Sequence, residues 1–363
     1  MAATSYGVNH PLAVKLWSRK LFHEMIGQSY VGKFIGTSDT SLIQMKTETK
    51  KGPGDKITFG LRNLLQGDGV EGDDGLEGNE EALVTYNDAV TINQLRHAVR
   101  SAGRMSEQRV PFSVREEARD GLQDWWIERI ETSMANQLTG NTGETRTKYT
   151  GMQATIAPTR MLIGSVAGEN ALEASLSATT TNAIKLKDLD NAVAIAKVRN
   201  AAGNPRIRPV VVGGKKMYVC FLHPFQILQL RKDASTAGNF YDLNKAMLQG
   251  GKISDNPIVS GASFIYNNVI VHEWDYLPTV PDALAPGGDG TSYRRGVFCG
   301  AQAAVCAYGQ DNKPNKMSWD EELFDYGNQL GVAAGCIMGF KKTVFNSVDF
   351  GTIVLSGYAP EPS

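Results

Sequence analysis

The 363-residue sequence predicts an α+β protein: an extended β-hairpin, then one very long helix, then a compact α+β unit. Two arms of alternating apolar and polar residues surround an acidic, Gly-rich tip, which is typical of a hairpin. Apolar residues then recur every three or four positions over residues 114–138, which indicates a helix. From Ile184 onward, short elements of both kinds alternate, as in a compact α+β unit.

Residues 1–36 are predicted to form an N-terminal arm. Pro11 begins a run with apolar residues at helical spacing, and Gly27 ends it. The charged residues of the arm are the acid Glu24 and the cations Lys15, Arg19, Lys20 and Lys33. Four cations make only a weak patch for nucleic acid, so a packed surface helix is preferred over a nucleic-acid contact.

The extended loop is predicted over residues 37–110. Its outgoing arm (55–65) places Ile57, Phe59 and Leu61 on one face, its tip spans 67–79, and its return arm spans 82–95. Two strands alone are marginally stable in water, so the apolar face needs a surface to lie on. The length of the hairpin predicts that this surface belongs to another copy of the chain.

The long helix is predicted to begin with a capping box, in which the side chains of Ser113 and Glu116 satisfy free backbone N–H groups. Gly140 supplies the stop, and the helix is roughly 40 Å long. Gly121 inside it is unfavourable and predicts a close approach of another group.

Trp125 and Trp126 point about 100° apart on this helix, so one of them is expected to be buried against C-terminal strands. Residues 111–183 and 318–363 are predicted to form a peripheral domain built on the helix. Its Thr-, Ser- and Gly-rich stretch, within 140–181, is predicted to be loop or linker.

Residues 184–317 are predicted to form an axial α+β domain. Its expected elements are a helix from 186 to about 200, a strand at 217–222, a helix at 224–231, paired strands around an Asn-Asn turn at 263–271, and a buried run at 297–307 broken by Gly300. The last predicted strands, 332–345 and 351–358, are expected to return to the long helix.

The sequence contains no recognisable catalytic, cofactor or metal motif. Residues 67–72 match G-x-G-x-x-G, but acids surround the glycines and would repel phosphate. The EF-hand pattern fails, because Val70 and Asp73 occupy its third and sixth positions, although an irregular cation site at the tip stays open. The five histidines form no H-E-x-x-H pair, and there is no G-x-S-x-G elbow or phosphate loop.

Composition restricts the function further. Hydrophobic residues make up 42% of the chain and the formal net charge is −1, so no global charge attracts nucleic acid or an anionic membrane. The N-terminus has no signal-peptide core and no apolar run reaches about 20 residues, which predicts a soluble protein made in the cytoplasm. Four scattered cysteines, none in a C-x-x-C pair, are expected to be reduced core residues rather than disulfides or metal ligands.

One charge pattern stands out. Residues 67–81 carry seven acids and no cation, and residues 96–109 carry four arginines against the single acid Glu107. The acids are Asp68, Glu71, Asp73, Asp74, Glu77, Glu80 and Glu81; the arginines are Arg96, Arg100, Arg104 and Arg109. These are either two solvated faces or the two halves of a head-to-tail contact between copies, which closes into rings.

This order of basic arm, hairpin, long helix and α+β unit resembles the major capsid proteins of tailed phages, in particular a coat-protein family of podoviruses and related phages. The similar stretches are GDKITFGL (54–61), LEGNEEAL (76–83), QLRHAV (94–99), MSEQRVP (105–111), FLHP (221–224) and GFKKTVFN (339–346). The resemblance implies the tailed-phage capsid fold, with a spine helix in the peripheral domain and an axial domain lining the capsomer centre. It supplies no enzyme residues.

The resemblance also implies pentamers and hexamers that close into an icosahedral head around double-stranded DNA, assembled in the host cytoplasm. It allows scaffold, portal and decoration proteins as further partners, which the residues do not identify, and it implies no membrane. Two alternatives stay open: a cytoplasmic enzyme with an unrecognised active site, and the shell subunit of a non-viral protein nanocompartment.

Overall fold

The computed structural model describes residues 28–46, 56–62, 69–73, 75–82, 85–111, 113–141, 156–164, 173, 176, 182–198, 205–212, 214–232, 262–285, 289–309 and 317–362. The predicted helix of the N-terminal arm lies outside these residues, as does most of the loop predicted within 140–181. Asp68 and Asp74 of the tip also lie outside them.

The described residues form four α-helices and seventeen β-strands. The helices are α1 (Arg104–Gln108), α2 (Val114–Leu138), α3 (Leu186–Lys197) and α4 (Pro224–Lys232). The strands are β1 (Ile35–Gly36), β2 (Ile43–Lys46), β3 (Lys56–Arg62), β4 (Thr85–Thr91), β5 (Asn93–Arg100), β6 (Met161–Ile163), β7 (Val210–Val212), β8 (Lys215–Leu222), β9 (Phe264–Tyr266), β10 (Val269–Glu273), β11 (Tyr293–Cys299), β12 (Ala304–Tyr308), β13 (Met317–Phe324), β14 (Gln329–Lys342), β15 (Val344–Phe345), β16 (Val348–Asp349) and β17 (Thr352–Tyr358). No described helix has the length and apolar character needed to cross a membrane.

The six-stranded sheet is built around β14, which is 14 residues long. On one side β14 pairs with β5, and on the other it pairs with β13 along its first part and with β12 along its last part. Strands β2 and β1 extend the sheet beyond β12 through parallel pairs. One strand thus joins the C-terminal region to both the hairpin region and the N-terminal segment.

The seven-stranded sheet has the order β6-β17-β11-β8-β10-β9, with β7 also paired to β8. Its elements confirm the expected pattern of the α+β unit: α3 and α4 lie where predicted, although α3 ends at Lys197. Strands β9 and β10 are joined by Asn267 and Asn268, both with positive φ. That conformation suits an Asn-Asn hairpin turn.

The C-terminal strands divide between the two sheets. β14 packs against α2, as expected. β17, which was expected at the same helix, instead pairs with β11 and β6 in the seven-stranded sheet. The four cysteines are all buried, which confirms their predicted core position.

The spine helix α2 buries the predicted stripe. Leu122, Trp126, Ile130, Met134 and Leu138 are all buried, at intervals of four residues. Trp126 is fully enclosed in the core shared with β14, whereas Trp125 is partly exposed and stacks on His97 of β5, with ring centroids 4.3 Å apart. Both tryptophans therefore contact the six-stranded sheet, Trp126 in the core and Trp125 at a partly exposed position.

One local expectation for this helix is wrong, and a second has no support among the described residues. Ser113 is the N-cap residue, but no side-chain hydrogen bond forms there, so the capping box is absent; the Ser113 carbonyl accepts the N–H groups of Glu116 and Glu117 instead. Gly121 is exposed, and no described atom lies within 4 Å of the position a Cβ would occupy. Close packing by the described residues therefore does not account for this glycine. The stop at Gly140 is present, with φ of +58°.

Buried Glu131 joins the spine helix to two other parts of the chain. Its carboxylate accepts hydrogen bonds from Ser29 Oγ (2.5 Å), the Val31 N–H (3.0 Å) and Trp274 Nε1 (2.7 Å). Burial raises the pKa of Glu131, and these three donors act in the opposite direction. The N-terminal segment, the helix and the end of β10 thus meet at one carboxylate.

Buried Arg295 of β11 joins the helix end to the seven-stranded sheet. Its guanidinium donates to the carbonyls of Thr139 (3.3 Å) and Gly140 (3.1 Å), just beyond α2. Its remaining nitrogens form a two-pronged ion pair with Glu173, at 2.8 and 2.5 Å. A cation at a helix C-terminus also interacts favourably with the helix dipole.

Trp126→Ala is expected to lower the free energy of unfolding by about 3–5 kcal/mol, because it leaves a large cavity between helix and sheet. Trp125→Ala is the matched control and should cost clearly less, since the ring is partly exposed. Urea unfolding of the unassembled subunit measures both. Equal losses, or no loss from Trp126→Ala, would contradict the packing.

Candidate subunit interface

The hairpin is present, and its base is covered by its own chain. Strands β3 and β4 pair antiparallel, from Lys56 opposite Thr91 to Arg62 opposite Thr85. The apolar face of β3 packs with residues of β12 and the C-terminal region: Val305, Ala307, Phe345 and Phe350. The expectation that a second copy covers this face is therefore wrong, because segments remote in sequence supply the surface.

The return arm is two strands rather than one. The return arm is interrupted at Ile92, between β4 and β5. β5 then leaves the hairpin and pairs with β14, from Asn93 opposite Met338 to Arg100 opposite Gly331. Gly339 permits this crossing, since a Cβ there would lie 2.2 Å from the Thr91 carbonyl oxygen. The hairpin is thereby continuous with the edge of the six-stranded sheet.

Charged residues fasten the hairpin base. Asp88 of β4 pairs with Lys341 of β14, and its second oxygen accepts the Val344 N–H at 3.0 Å. Beside it, Lys342 and Asp349 form a buried ion pair of 2.7 Å. Burial lowers the pKa of Lys342, and the Asp349 carboxylate opposes that effect. Lys341 thus anchors β4, and its neighbour Lys342 anchors β16.

The tip of the hairpin is exposed. Glu71, Asp73 and Glu77 all face solvent, and Gly69, Gly72 and Gly78 have positive φ, which lets the backbone turn repeatedly. Local hydrogen bonds shape it, including Asn79 N–H to the Leu76 carbonyl at 3.0 Å. Leu76 itself is 64% exposed, although it is apolar.

The four predicted arginines are all exposed, but they do not form one uniform basic face. Arg96 and Arg100 lie on one face of β5, opposite Gly335 and Gly331. A Cβ on Gly335 would lie 2.8 Å from Arg96 Cγ, and a Cβ on Gly331 would lie 2.6 Å from Phe324 Cε2, so these glycines leave room for Arg96 and Phe324. Arg100 also donates a hydrogen bond to Gln329 Oε1 and lies over the Phe324 ring, 4.3 Å from its centroid. Arg104 and Arg109 lie on and just after α1.

The tertiary structure adds acids to this face. Cross-strand pairing places Asp320 and Glu322 of β13 on the same side of the sheet as Arg100, with β14 between them. Two strand spacings separate Glu322 from Arg100 by about 10 Å. The sequence interval 96–109 alone does not reveal these acids, which come from a segment more than 200 residues later.

The described chain does not bring the two predicted halves together. No hydrogen bond or ion pair among the described residues joins Glu71, Asp73 or Glu77 to any of the four arginines. Asp68 and Asp74, also predicted for the interface, lie outside the described residues. Both halves are therefore available to a partner.

Sequence reasoning missed an exposed turn beside the arginines. Residues 325–328 join β13 to β14, and Asp325, Tyr326 and Gly327 all have positive φ. This conformation costs a non-glycine residue on the order of 1–2 kcal/mol, yet Tyr326 adopts it with its side chain fully exposed. The Asp-Tyr-Gly-Asn sequence is a turn signal that could have located the loop, but not its exposure.

The three described histidines, His97, His223 and His272, have structural partners. His272 Nδ1 lies 2.6 Å from the Tyr30 hydroxyl, and His97 stacks on Trp125. Burial, together with the charge of Arg294, lowers the pKa of His223 to about 4. Within the described ranges, no group of three or more His, Cys, Asp or Glu side chains is arranged to hold a metal ion.

Comparisons with known proteins agree on one class. Residues 5–361 match the model of the family described as phage capsid protein. The major capsid protein of Pseudomonas phage KPP25 is 28% identical over 93% of each chain. The capsid of Ralstonia phage GP4 is 34% identical over the whole of both chains, with a TM-score of 0.81. The cyanophage Pam1 capsid shares the fold at 19% identity, with a TM-score of 0.69 over 100% of this chain and 95% of that one.

Lys341→Met is expected to destabilise the hairpin base by roughly 3 kcal/mol, because it leaves the nearly buried Asp88 carboxylate without its cation. The double variant with Asp88→Asn leaves no unpaired charge and should be less destabilised than Lys341→Met alone. Hydrogen exchange should locate the loosening in β3 and β4. A double variant as damaged as the single would contradict the role of this ion pair.

Proposed function

Because the chain belongs to the phage capsid protein family and is a shell-forming coat protein, we propose that its copies associate as pentamers and hexamers through contacts made by the hairpin tip. The match of residues 5–361 to the phage capsid protein family supports the coat-protein function itself. It favours a phage shell over both the enzyme and the nanocompartment alternatives. We further propose that the shell has no catalytic role.

The proposed domains follow the sequence limits: an N-terminal arm (1–36), an extended loop (37–110), a peripheral domain (111–183 and 318–363) and an axial domain (184–317). The spine helix on the six-stranded sheet supports the peripheral domain. The axial and peripheral parts share a sheet, since β17 pairs with β11. We expect this shared sheet to make the two domains move as one body.

The proposed contact is head to tail. The acidic tip, with Asp68, Glu71, Asp73, Asp74 and Glu77, docks on the region of Arg96, Arg100, Arg104 and Arg109 in the next copy. The supporting observation is that Glu71, Asp73, Glu77 and the four arginines are exposed, and that no described hydrogen bond or ion pair joins these acids to these arginines. Complementary charges of this kind steer association and select partners more than they add affinity.

The proposed cargo is double-stranded DNA, held without sequence-specific binding. A formal net charge of −1 suits a container, because a strongly basic interior would adsorb the phosphate backbone. We propose that assembly takes place in the host cytoplasm and that the assembled shell is the location of the protein in the virion. Scaffold, portal and decoration proteins are further proposed partners.

Removing residues 67–79 and joining the arms by a short turn should leave a folded, soluble subunit that forms no closed shells. The base should survive because its apolar face is covered within the chain. Electron microscopy of wild-type and deleted protein, with circular dichroism as the folding control, measures the outcome. Normal shells from the deletion variant would refute the role of the tip.

The proposed cargo is tested separately, by disrupting wild-type shells and analysing their contents for DNA.

Reversing Glu71 and Asp73 to Lys should weaken shell assembly, although each exposed ion pair contributes only about 0–1 kcal/mol. Repetition around every capsomer multiplies the effect, and reversal adds repulsion. Reversing Arg100 and Arg104 to Glu in the same chain should partly restore assembly. Light scattering measures shell assembly at several salt concentrations. Added salt should weaken assembly of the wild type, because it screens the charges of the contact. A quadruple variant worse than either double variant would contradict the pairing.

A further inference from the structure

Exposed apolar side chains concentrate at one end of the six-stranded sheet. Nine large apolar side chains of the described residues are exposed, and four of them (Val99, Met105, Leu323 and Tyr326) lie in β5, α1, β13 and the turn after β13. Large apolar side chains exposed together mark interaction sites more often than isolated ones do. This end of the sheet is therefore the strongest candidate for a surface that binds a partner.

Tyr326 and Met105 are held on one small surface, which we call the turn platform: residues 325–328 with Arg104 and Met105. The Arg104 N–H donates to Asn328 Oδ1 at 3.3 Å, which joins the start of α1 to the turn. A Cβ on Gly327 would lie 3.9 Å from Arg104 Nη2, so the guanidinium lies beside the turn. The platform thus presents an aromatic ring and a thioether next to a cation.

The backbone of the turn holds Tyr326 in an uncommon conformation. Asp325 and Tyr326 both have φ of +51°, a conformation in which side chains other than Gly, Asn and Asp are uncommon. Strain retained at an exposed position is typical of binding sites, where it fixes the direction of a side chain. Here it directs a tyrosine into solvent, and Tyr is among the side chains that most often anchor protein interfaces.

The hairpin tip carries the complementary features. Leu76 is the one large apolar side chain of the described tip that is exposed, and Glu71, Asp73 and Glu77 surround it in sequence. An apolar centre with an acidic rim matches an apolar platform bordered by Arg100 and Arg104. Interfaces are commonly built in this way, with an apolar centre and a polar rim.

We propose that Leu76 of one copy packs against Tyr326 and Met105 of the next copy, and that this apolar contact anchors the tip. The inference rests on the proposed docking of the acidic tip and adds an apolar contact at the centre of that interface. Charges then orient the tip, and the Leu76–Tyr326 contact holds it. Because burial of apolar surface is little affected by screening, this part of the contact persists in salt that weakens the charge pairs.

Leu76→Ser and Tyr326→Ser should each raise the subunit concentration needed for shell assembly by about tenfold, as expected for losing one buried apolar side chain. Both residues are exposed in the subunit, so unfolding curves should match the wild type and show that folding is intact. Val211→Ser is the matched control, an exposed apolar residue of β7, and should leave assembly unchanged.

A co-assembly experiment tests the contact directly. The native cysteines are all buried, so Leu76→Cys in one preparation and Tyr326→Cys in another supply the exposed thiols. When the two are mixed and treated with a short bis-maleimide, covalent dimers should form in the mixture beyond those seen in either preparation alone. A mixture of Leu76→Cys with Val211→Cys should not give them.

The outcomes separate this inference from the proposed function. Shells that assemble from the mixture without cross-linked dimers would overturn the apolar anchor, as would equal cross-linking to Val211→Cys. Assembly that is weakened by charge reversal but unchanged by both serine substitutions would also overturn the anchor and leave the charge pairing standing. Cross-linked dimers together with weakened assembly of both serine variants support the anchor, even where charge reversal has no effect.

Discussion

The cost of burying charge near the spine helix controls how the parts of this subunit meet. Glu131 is almost wholly enclosed, and an ionised carboxylate is tolerated there only when donors replace its water. Ser29, the Val31 N–H and Trp274 supply them from segments 100 or more residues before and after Glu131 in the sequence. Any arrangement that separated these segments would leave a buried carboxylate unsatisfied, so the N-terminal segment, the helix and the end of β10 have one favoured geometry.

Arg295 applies the same constraint at the helix end. Its side chain satisfies two carbonyls that the helix leaves unpaired and neutralises Glu173 at the same time. The six-stranded and seven-stranded sheets are therefore joined through the helix by charged contacts as well as by apolar packing. A shell subunit benefits from such rigidity, because contacts repeated many times require every copy to present the same surface.

The hairpin combines a fixed base with an exposed tip. Asp88 and the apolar face of β3 hold the base on the subunit before any second copy arrives, so assembly does not have to order the whole loop. In the proposed contact, a neighbouring copy positions the tip. The acids Asp320 and Glu322 beside Arg100 would moderate the positive charge of the proposed docking face, which favours a weak, correctable contact during assembly.

The sequence by itself determined the local elements: the spine helix with its buried stripe, the β3–β4 pairing, the Asn267–Asn268 turn and the buried cysteines. Each follows from periodicity or turn chemistry within a few neighbouring residues. Only the tertiary structure decided what covers those elements. Val305, Phe345 and Phe350 cover the hairpin face, β17 joins the other sheet, and the turn that carries Tyr326 lies beside Arg104. These depend on segments far apart in the chain, whose contacts leave no periodic signal in either segment alone.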